Sequence, residues 1–343
     1  MRVGVLTGGG DCPGLNAVMR GVVRKAENTY GDEIIGFRDG WKGVINNETV
    51  ELSIASMRGT LTRGGTVLGT SRVHPWMQED GVEKIAATVA DQNLDAMIVI
   101  GGEGTLSCAR RLHDEGVINV IGIPKTIDND ISATDMTFGF MTAVEVAADA
   151  VDRLHSTAES HDRVMVLEVM GRHVGHIAMW AGLAGGATVT LVPEEPFDIA
   201  EVAESIKRRH EKGRFASIVV VAEGALPKPG TLDVVEPEVD IYGHQRLGGI
   251  GATVAAEIEK LTGFETRVTV LGYVQRGGTP SAFDRVLCTW YGVAAIDAVH
   301  QGDFGRMVSF QNAGMTTVSL DDAVGGLKTI DPQLWDVAKT FFG

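Results

Sequence analysis

Short apolar runs alternate with stretches of helical periodicity along almost the whole chain. Residues 3–7 and 96–100 are compact apolar runs, which is typical of strands buried on both faces of a parallel sheet. Residues 81–93 instead bring Val82 and Ile85 to one face of a helix, the pattern of an amphipathic helix that covers such a sheet. The alternation therefore predicts an α/β protein with mostly parallel sheets and helices on both faces.

The same pattern predicts the order of the elements. Strands are predicted at residues 3–7, 34–37, 96–100, 120–123, 164–169, 188–192, 218–222 and 268–270. Helices are predicted at residues 16–25, 81–93, 106–115, 141–156, 178–186, 199–212, 250–261 and 284–300. Residues 226–249 are rich in proline, glycine and acidic residues and are predicted to form a surface excursion, a candidate lid. Residues 311–326 are predicted to be irregular.

We expect two similar Rossmann-like three-layer lobes, with the active site in the cleft between them. The larger lobe, for a nucleotide donor, is predicted at residues 1–140 plus about 255–305. The smaller lobe, for a sugar phosphate, is predicted at about residues 141–254 plus 306–343. Since the chain has no linker of obvious Gly/Ser or Pro type, these bounds are approximate.

Composition and charge exclude several classes of protein. The 343 residues are 44% apolar, as expected for a well-cored globular protein. The net charge of −15 argues against a nucleic-acid partner, which requires a basic surface. Three widely spaced cysteines do not suggest a disulfide framework or a metal site. No signal peptide and no run long enough to span a membrane is found, so we expect a cytoplasmic protein.

Glycine-rich turns follow two of the predicted strands. Residues 8–16 read Gly-Gly-Gly-Asp-Cys-Pro-Gly-Leu-Asn, and residues 101–105 read Gly-Gly-Glu-Gly-Thr. A strand, a glycine-rich turn and a helix form the geometry in which backbone N–H groups bind phosphate. The alternative is a tight turn that needs small residues, with Glu103 a favourable charge in a first helical turn. If the turn does bind phosphate, Glu103 is positioned to bind Mg²⁺ that bridges the phosphates.

The loop after residues 120–123 is the best candidate for the chemistry. Asp128 is suited to accept a proton from a hydroxyl, Thr126 to bind a phosphate or that hydroxyl, and Lys125 to neutralise phosphate charge. Ligands in open α/β sheets gather beyond the carboxyl ends of strands, where this loop lies. The alternative is a turn in which Asp and Asn side chains only bind their own backbone.

Two further segments carry cations near glycines. Residues 63–72 hold two arginines with glycines and hydroxyls between them, which suits an anion, although the segment by itself favours a surface hairpin. Residues 170–176 follow a predicted strand and include Arg172, again at a strand end.

In combination these motifs resemble the 6-phosphofructokinases, over roughly residues 1–310. The motifs are residues 8–16, 63–70, 101–105, 124–130 (Pro-Lys-Thr-Ile-Asp-Asn-Asp), 168–172 (Glu-Val-Met-Gly-Arg) and 272–280 (Gly-Tyr-Val-Gln-Arg-Gly-Gly-Thr-Pro). The resemblance implies transfer of a phosphoryl group to the 1-hydroxyl of fructose 6-phosphate, in glycolysis. It also implies a Mg²⁺–nucleotide donor and a homotetramer, or a homodimer.

The resemblance also implies roles for individual residues. Asp128 would be the general base, Thr126 would position the acceptor, Arg172 would stabilise charge on the transferred group, and Asp130 would support the metal–phosphate arrangement. The donor would be bound by Gly10, Arg72, Val73, Gly102, Glu103, Gly104 and Thr105, with Glu103 as the metal ligand. The sugar phosphate would be bound by Thr126, Ile127, Asp128, Arg163, Met170, Gly171, Arg172, Glu223, Arg267, Tyr273, Val274, Gln275 and Arg276. In this family Arg163 and Arg267 reach the 6-phosphate of a neighbouring subunit.

Departures from the family pattern bear on the ligands. Glu103 stands where the bacterial nucleotide-dependent pattern has aspartate, which preserves the carboxylate. Tyr273 stands where histidine is common, which removes an imidazole near the sugar phosphate. Arg20 and Lys212 are among the cations that resemble remnants of an effector site, together with Arg24 and Arg214, although solvated surface cations explain them as well.

The donor depends on Gly104 and Lys125. Within the family glycine at position 104 is associated with ATP, since a carboxylate there would repel the α-phosphate, whereas Lys125 resembles the pyrophosphate enzymes. This combination is similar to the mixed-substrate group of actinobacteria. We predict ATP, because a side chain at position 104 removes room whereas a flexible lysine can move aside. Pyrophosphate as donor, sedoheptulose 7-phosphate as acceptor, and a non-enzymatic sugar-phosphate or nucleotide-binding regulatory module are the alternatives.

Overall fold

The structure, a computed structural model, describes residues 1–233 and 248–342. Most of the surface excursion predicted at residues 226–249, and with it the candidate lid, lies outside the described residues. By their contacts the described residues form two compact units. Unit 1 comprises Met1–Thr142 and Arg276–Lys328, and unit 2 comprises Ala143–Gln275 and Thr329–Gly343.

Unit 1 is built on one sheet, which has seven strands among the described residues. The strands are β1 (Arg2–Thr7), β2 (Glu33–Phe37), β3 (Thr49–Leu52), β4 (Ala96–Gly101), β5 (Val120–Pro124), β10 (Arg306–Gln311) and β11 (Gly314–Ser319). Their order is β11-β10-β5-β4-β1-β2-β3. The inner pairs are parallel, and the outermost strands β3 and β11 are antiparallel to their neighbours.

Helices cover both faces of this sheet. They are α1 (Leu15–Lys25), α2 (Trp41–Ile45), α3 (Gly81–Asp91), α4 (Glu103–Asp114), α9 (Ala282–Gln301) and α10 (Leu320–Val324). Glycines bring α1 and α9 close together, because a Cβ on Gly292 would lie only 2.3 Å from the carbonyl oxygen of Val18. A side chain larger than hydrogen at this crossing would force the two helices apart.

The central strands of unit 1 are apolar because both of their faces are buried. Every residue of β4 and β5 is buried, and Met97, Val99 and Val120 belong to one apolar cluster with Leu106 of α4. Burying such a side chain stabilises the fold by about 2 kcal/mol each. The continuous apolar runs of the sequence follow from this position in the sheet.

Unit 2 is built on a smaller sheet, in which the described strands are all parallel. The strands are β6 (Val164–Val169), β7 (Val189–Leu191), β8 (Ser217–Ala222) and β9 (Thr266–Val270), in the order β7-β8-β6-β9. The helices are α6 (His176–Ala184), α7 (Ile199–Glu211), α8 (Ile250–Thr262) and α11 (Pro332–Lys339), and α5 (Phe140–His161) carries the chain from unit 1 into unit 2. The predicted α/β class with mostly parallel sheets is confirmed.

The units and the predicted domains differ at two segments. Residues from about 255 to 275 were predicted in the first domain, and residues 306–328 in the second. In the structure β9 pairs with β6 of unit 2, and β10 pairs with β5 of unit 1. Hydrogen bonds between strands that are distant in sequence therefore determine the division of the chain.

The prediction of an irregular segment at residues 311–326 is wrong. The segment contains the hairpin of β10 and β11, whose two-residue turn has positive φ at Asn312 (51°) and Ala313 (59°), and then α10. Within the part of the chain that the structure describes, no helix is long and apolar enough to cross a membrane.

Candidate active site

Three sequence motifs meet at one edge of the sheet in unit 1. The strands β1, β4 and β5 are adjacent and parallel, so their carboxyl ends lie at the same edge. The motif at residues 8–16 follows β1, the motif at residues 101–105 follows β4, and the loop at residues 125–130 follows β5. The structure thus brings together the predicted donor and catalytic residues of this unit.

The loop after β1 is held by its neighbours. The backbone N–H of Gly8 donates to the carbonyl of Ile100 at 2.9 Å, and the N–H of Gly9 donates to the carbonyl of Ser71 at 3.0 Å. The hydroxyl of Thr70 donates to the carbonyl of Gly9 at 2.6 Å. Gly9 has a φ of 80°, a left-handed conformation that favours glycine. The polypeptide around this loop therefore fixes its path.

Residues 63–73 are organised by a buried side chain that sequence reasoning did not single out. Asn16 is fully buried, its amide donates to the carbonyls of Arg63 and Gly65 at 3.0 and 3.1 Å, and its oxygen accepts from the N–H of Val67 at 2.9 Å. The segment forms turns rather than the hairpin considered above. It ends at Arg72, which is exposed beside the glycine loop.

Lys125 is a buried part of the same loop. Its side chain is only 4% exposed, and its Nζ donates to the carbonyl of Gly10 at 2.5 Å. Burial lowers the pKa of this ammonium group, with the nearby Arg276 lowering it further and the charges of Asp130 and Asp11 opposing the shift. Lys125 is therefore not the flexible lysine that was predicted to move aside, because its ammonium group is enclosed and hydrogen-bonded.

Arg276 lies on the other side of this loop. Its Nη1 donates to the carbonyl of Asp11 at 3.2 Å, and a Cβ built on Gly10 would lie 2.5 Å from the same atom. The residue was predicted to bind the 6-phosphate of the sugar. Its contacts within unit 1 are with the predicted donor loop, so two cations, Lys125 and Arg276, flank Gly10.

The start of α4 is open by comparison. Glu103 and Gly104 are exposed, whereas Thr105 is only 9% exposed. A Cβ on Gly104 would meet no described atom within 4 Å, and its φ is not positive. The fold therefore does not require glycine at this position.

Glu103 is the candidate for binding a metal ion. One carboxylate oxygen accepts a hydrogen bond from the Ser107 hydroxyl at 3.0 Å, and the rest of the group faces solvent. Among the described residues, no group of three or more histidines, cysteines, aspartates or glutamates is placed to hold a metal ion. One carboxylate fits Mg²⁺ that is bound chiefly by phosphates and water, which is its usual mode in phosphoryl-transfer sites.

The loop after β5 alternates between buried and partly exposed residues. Lys125, Ile127 and Asn129 are buried, whereas Thr126, Asp128 and Asp130 are partly exposed. The N–H of Asp128 donates to the Thr126 hydroxyl at 3.0 Å. The buried residues anchor the loop and leave the three predicted catalytic side chains partly accessible.

A second set of hydrogen bonds fixes the far side of this loop. The hydroxyl of Thr137 donates to the carbonyl of Thr126 at 2.8 Å, and the N–H of Thr137 donates to the side chain of Asn129 at 2.9 Å. Asn129 has a φ of 54°, which asparagine tolerates better than most residues. The side chain of Asn129 thus binds the backbone eight residues further on rather than its own, and Asp128 lies between two buried neighbours.

Unit 2 brings together a second group of the predicted residues. The carboxyl ends of β6 and β8 are adjacent, and the N–H of Glu223 donates to the carbonyl of Val169 at 2.8 Å. Gly171 has a φ of 139° and its carbonyl accepts from the N–H of Gly224 at 3.1 Å. These contacts place Met170, Gly171 and Arg172 beside Glu223, as expected for residues that bind one ligand.

The segment around Tyr273 is split between solvent and the interior. Tyr273 is 81% exposed and Val274 is 65% exposed. Gln275 is fully buried, and its side-chain oxygen accepts from the N–H of Met170 at 3.3 Å. Within unit 2, Gln275 thus forms a hydrogen bond with the backbone of the predicted sugar-binding loop, whereas the side chains of Tyr273 and Val274 extend into solvent.

Arg163 and Arg267 lie at the opposite edge of the sheet in unit 2. Arg163 precedes β6 and Arg267 is near the start of β9, whereas Met170 follows the end of β6. Six residues of strand separate the two ends, which is roughly 20 Å at about 3.3 Å per residue. The unit does not bring the two arginines together with its own predicted sugar-binding loop.

The two arginines share one carboxylate. Arg163 binds Glu265 at 2.7 Å, and Arg267 binds the same oxygen of Glu265. The hydrogen bond from Arg163 lowers the pKa of Glu265, and Arg267 adds to the effect. Glu265 was not found from the sequence, where it has no motif; it holds the two guanidinium groups beside each other.

The cysteines carry no nucleophilic chemistry. All three are buried as free thiols, and burial raises the pKa of Cys12 and of Cys108 to about 12. A thiol is a nucleophile as its thiolate, so these residues pack as small apolar groups.

Comparison with known proteins identifies the family. The phosphofructokinase family model matches residues 2–299. A Streptomyces coelicolor protein named pyrophosphate–fructose 6-phosphate 1-phosphotransferase is 55% identical over 343 residues, covering 100% of both chains. Another protein of that organism, named ATP-dependent 6-phosphofructokinase 3, is 54% identical over 330 residues, covering 96% of both chains.

The fold agrees with a solved structure of the same family. Phosphofructokinase from Saccharomyces cerevisiae matches with a TM-score of 0.82 and 31% identity, over 99% of this chain and 46% of the yeast chain. The chain thus spans less than half the length of that protein. As its motifs predicted, the chain belongs to the phosphofructokinase family.

Proposed function

We propose that this chain transfers the terminal phosphoryl group of Mg-ATP to the 1-hydroxyl of fructose 6-phosphate, giving fructose 1,6-bisphosphate and ADP. The observation that carries the proposal is the convergence of three loops at the carboxyl ends of β1, β4 and β5. Two of them are glycine-rich and the third presents Asp128 between buried neighbours. The names of the relatives in Streptomyces coelicolor support fructose 6-phosphate as the acceptor.

The reaction needs a base, a positioning group and compensation of charge. Asp128 takes the proton of the sugar hydroxyl as its oxygen attacks the terminal phosphorus, and Thr126 orients the acceptor. Arg172 stabilises charge on the transferred oxygens, and Asp130 supports the metal–phosphate arrangement. Glu103 would hold Mg²⁺, which when bound neutralises charge on the phosphates. Each group acts by position and charge, as in-line phosphoryl transfer requires.

ATP is the donor that the open position at Gly104 supports. The fold does not need a glycine there, since no described atom beyond its own helix and chain neighbours lies within 4 Å of an added Cβ, which leaves room for a donor at this position. Pyrophosphate is the second candidate, because a relative with 55% identity is named for it and Lys125 is present. Buried Lys125 fixes the loop that either donor would contact, so it does not by itself select pyrophosphate.

We further propose that the site is completed in a homotetramer or homodimer located in the cytoplasm. Arg163 and Arg267 stand at the amino-terminal edge of the sheet in unit 2, away from the loop with Met170. Because unit 2 does not bring these two arginines to its own sugar-binding loop, they are available to bind the 6-phosphate in a neighbouring subunit. The free, buried cysteines fit a reducing compartment.

The test is a set of initial rates with fructose 6-phosphate and Mg²⁺, with ATP or pyrophosphate as donor. We expect turnover with ATP, and loss of about 100- to 10,000-fold in kcat for Asp128→Asn, the usual size of a general-base contribution. Asp149→Asn is the matched control, because Asp149 is an exposed carboxylate paired with Arg153.

The outcomes separate the candidates. Turnover with pyrophosphate alone would replace ATP as the donor and leave the family chemistry intact. No turnover with either donor, combined with tight binding of fructose 6-phosphate by wild type, would instead indicate a regulatory binding module. Sedoheptulose 7-phosphate, assayed in parallel, defines the acceptor.

A further inference from the structure

A C-terminal segment of unit 1 runs beside the catalytic loop. The N–H of Lys328 donates to the carbonyl of Asp130 at 3.0 Å, and Leu327 forms an antiparallel bridge with Ile131. The hydroxyl of Ser132 donates to the carbonyl of Gly326 at 2.6 Å. Residues 326–328, about 195 residues away in sequence, are therefore paired with residues 130–132, which stand two to four positions after Asp128.

The side chain of Lys328 extends this contact. Its Nζ donates to the carbonyl of Thr134 at 2.9 Å and to the carbonyl of Asp135 at 2.6 Å. One ammonium group thus fixes two consecutive peptide units between the catalytic loop and α5. Hydrogen bonds to a charged donor are stronger than those between neutral groups, so this contact restrains the backbone well.

The backbone between these contacts is strained. Ala133 has a φ of 59°, a left-handed conformation that alanine disfavours. Its carbonyl accepts hydrogen bonds from Ser309 at 2.5 Å and from Gln311 at 2.8 Å. A strained residue keeps such a conformation when the surrounding structure holds it, and here the surrounding residues all come from the C-terminal part of unit 1.

A lysine is a costly residue for this position. Burial lowers the pKa of Lys328 to about 8, although the carboxylates of Asp135 and Asp130 oppose the shift. A methionine would fill similar space without desolvating a charge. The ammonium group is therefore explained by the carbonyls it binds rather than by packing.

We propose that Lys328 is a positioning residue for catalysis, which holds the backbone at Asp130, Thr134 and Asp135 and thereby sets where Asp128 presents its carboxylate. The inference rests on the proposed function, since it concerns the same catalytic loop. Lys328 makes no contact with a reacting atom in this role. Its main-chain N–H binds the carbonyl two residues after the base, and its ammonium group binds the carbonyls six and seven residues after the base. It lies beyond residues 2–299, which the family model matches.

The experiment replaces Lys328 with methionine, which keeps the side-chain length and the main-chain bond to Asp130 and removes the ammonium bonds to Thr134 and Asp135. We expect kcat to fall by about tenfold, as for loss of a hydrogen bond to a charged group, with KM for both substrates within about twofold. Deuterium exchange should rise in peptides covering residues 126–137 and stay unchanged in peptides covering α11. Lys328→Arg, which keeps a cationic donor, should recover part of kcat.

Lys339→Met is the matched control, because Lys339 is a C-terminal lysine in exposed ion pairs with Glu195 and Asp336. It should keep kcat within about twofold of wild type. If Lys328→Met does not fold, Ser132→Ala carries the test, since it removes the bond to Gly326 and should give the same rise in exchange with a smaller fall in kcat.

The outcomes that would overturn the proposal are distinct from failure of the proposed function. Unchanged kcat and unchanged exchange in residues 126–137 for the variants would overturn it. A fall in kcat that Lys328→Arg does not recover, with exchange raised throughout unit 1, would indicate a purely structural residue and also overturn it. If wild type itself has no turnover, the proposed function fails, and local exchange still tests the contact.

Discussion

The loops after β1 and β4 are both rich in glycine, and they differ in what surrounds the glycines. After β1, protein atoms already fill the space: a Cβ on Gly8 would lie 2.6 Å from Thr105, and a Cβ on Gly10 would lie 2.5 Å from Arg276. After β4, a Cβ on Gly104 would meet nothing within 4 Å in the described part of the chain. The first loop is closed by the protein, and the second is open.

The difference separates two reasons for a glycine in a phosphate-binding motif. Gly8 and Gly10 are small because protein atoms approach them closely, so their identity says little about which donor is bound. Gly104 has no such neighbour in the described part of the chain, so the fold does not explain its identity, and we attribute it to the space that the proposed donor requires. We therefore expect the residue at position 104 to determine which donor is bound, and the loop after β1 to bind ATP and pyrophosphate alike.

The largest expected effect comes from placing a charge at the open position. Gly104→Asp should lower kcat/KM for ATP by about a hundredfold, within the range of about 1 to 4 kcal/mol for two like charges about 4 Å apart. The melting temperature should stay within about 2 °C of wild type, because the side chain meets no protein atom. Initial rates with both donors and a thermal melt measure this.

Gly104→Asn is the control for this substitution, since it has the same size without the charge. A loss of ATP activity as large as that of the aspartate variant would show that space rather than repulsion matters. Unchanged ATP kinetics in the aspartate variant would contradict the assignment of position 104 to the donor.

A smaller effect, equal for both donors, is expected in the closed loop. Lys125→Met removes the hydrogen bond to the carbonyl of Gly10 and a cation beside the donor, and should lower kcat/KM by about thirtyfold. Lys84→Met is the control, because Lys84 also donates to a carbonyl but is exposed. A loss confined to pyrophosphate would show that Lys125 selects the donor directly.

The same variant has a pH signature. The folded pKa of Lys125 lies below its unfolded value of 10.5, so the charged form is disfavoured by folding. This cost is fully present below the folded pKa and is relieved as the pH rises toward 10.5. Relative to Lys125→Met, the free energy of unfolding of wild type should therefore rise between neutral pH and pH 10, as measured by urea titration.

The smallest effect comes from a matched pair of alanine substitutions. Gly10→Ala should displace Arg276 from Asp11 and lower kcat/KM by about tenfold, whereas Gly104→Ala should change it by less than about twofold. Both positions accept alanine in their backbone conformation, since neither has a positive φ. Equal effects of the two variants, in rate assays with either donor, would remove the distinction between the closed and open loops.

Much of the fold was predictable because its central strands are apolar on both faces. The runs at β1, β4 and β5 ended in the loops that carry the motifs, so the positions of Asp128 and Glu103 followed from the sequence. The hairpin of β10 and β11 was missed because its turn uses Asn312 and Ala313 instead of an Asn-Gly pair, and its strands are only partly buried.

Side-chain environments were less predictable. Lysine is rarely buried, so nothing in the local pattern indicated that Lys125 lies under the glycine loop, and its long side chain was expected to be flexible. Lys328 binds carbonyls that are almost 200 residues away in sequence. Glu265, which belongs to no motif, binds Arg163, about 100 residues before it. Such contacts depend on how strands from distant parts of the chain pair, which local patterns do not contain.

The empty surroundings of Gly104 also have an evolutionary consequence. Glycine and aspartate codons differ by a single base, and at this position neither residue disturbs the fold. Under the role we propose for position 104, a single mutational step would exchange one donor for the other without an unstable intermediate. Two proteins of Streptomyces coelicolor whose names specify different donors are about equally similar to this chain, at 55% and 54% identity.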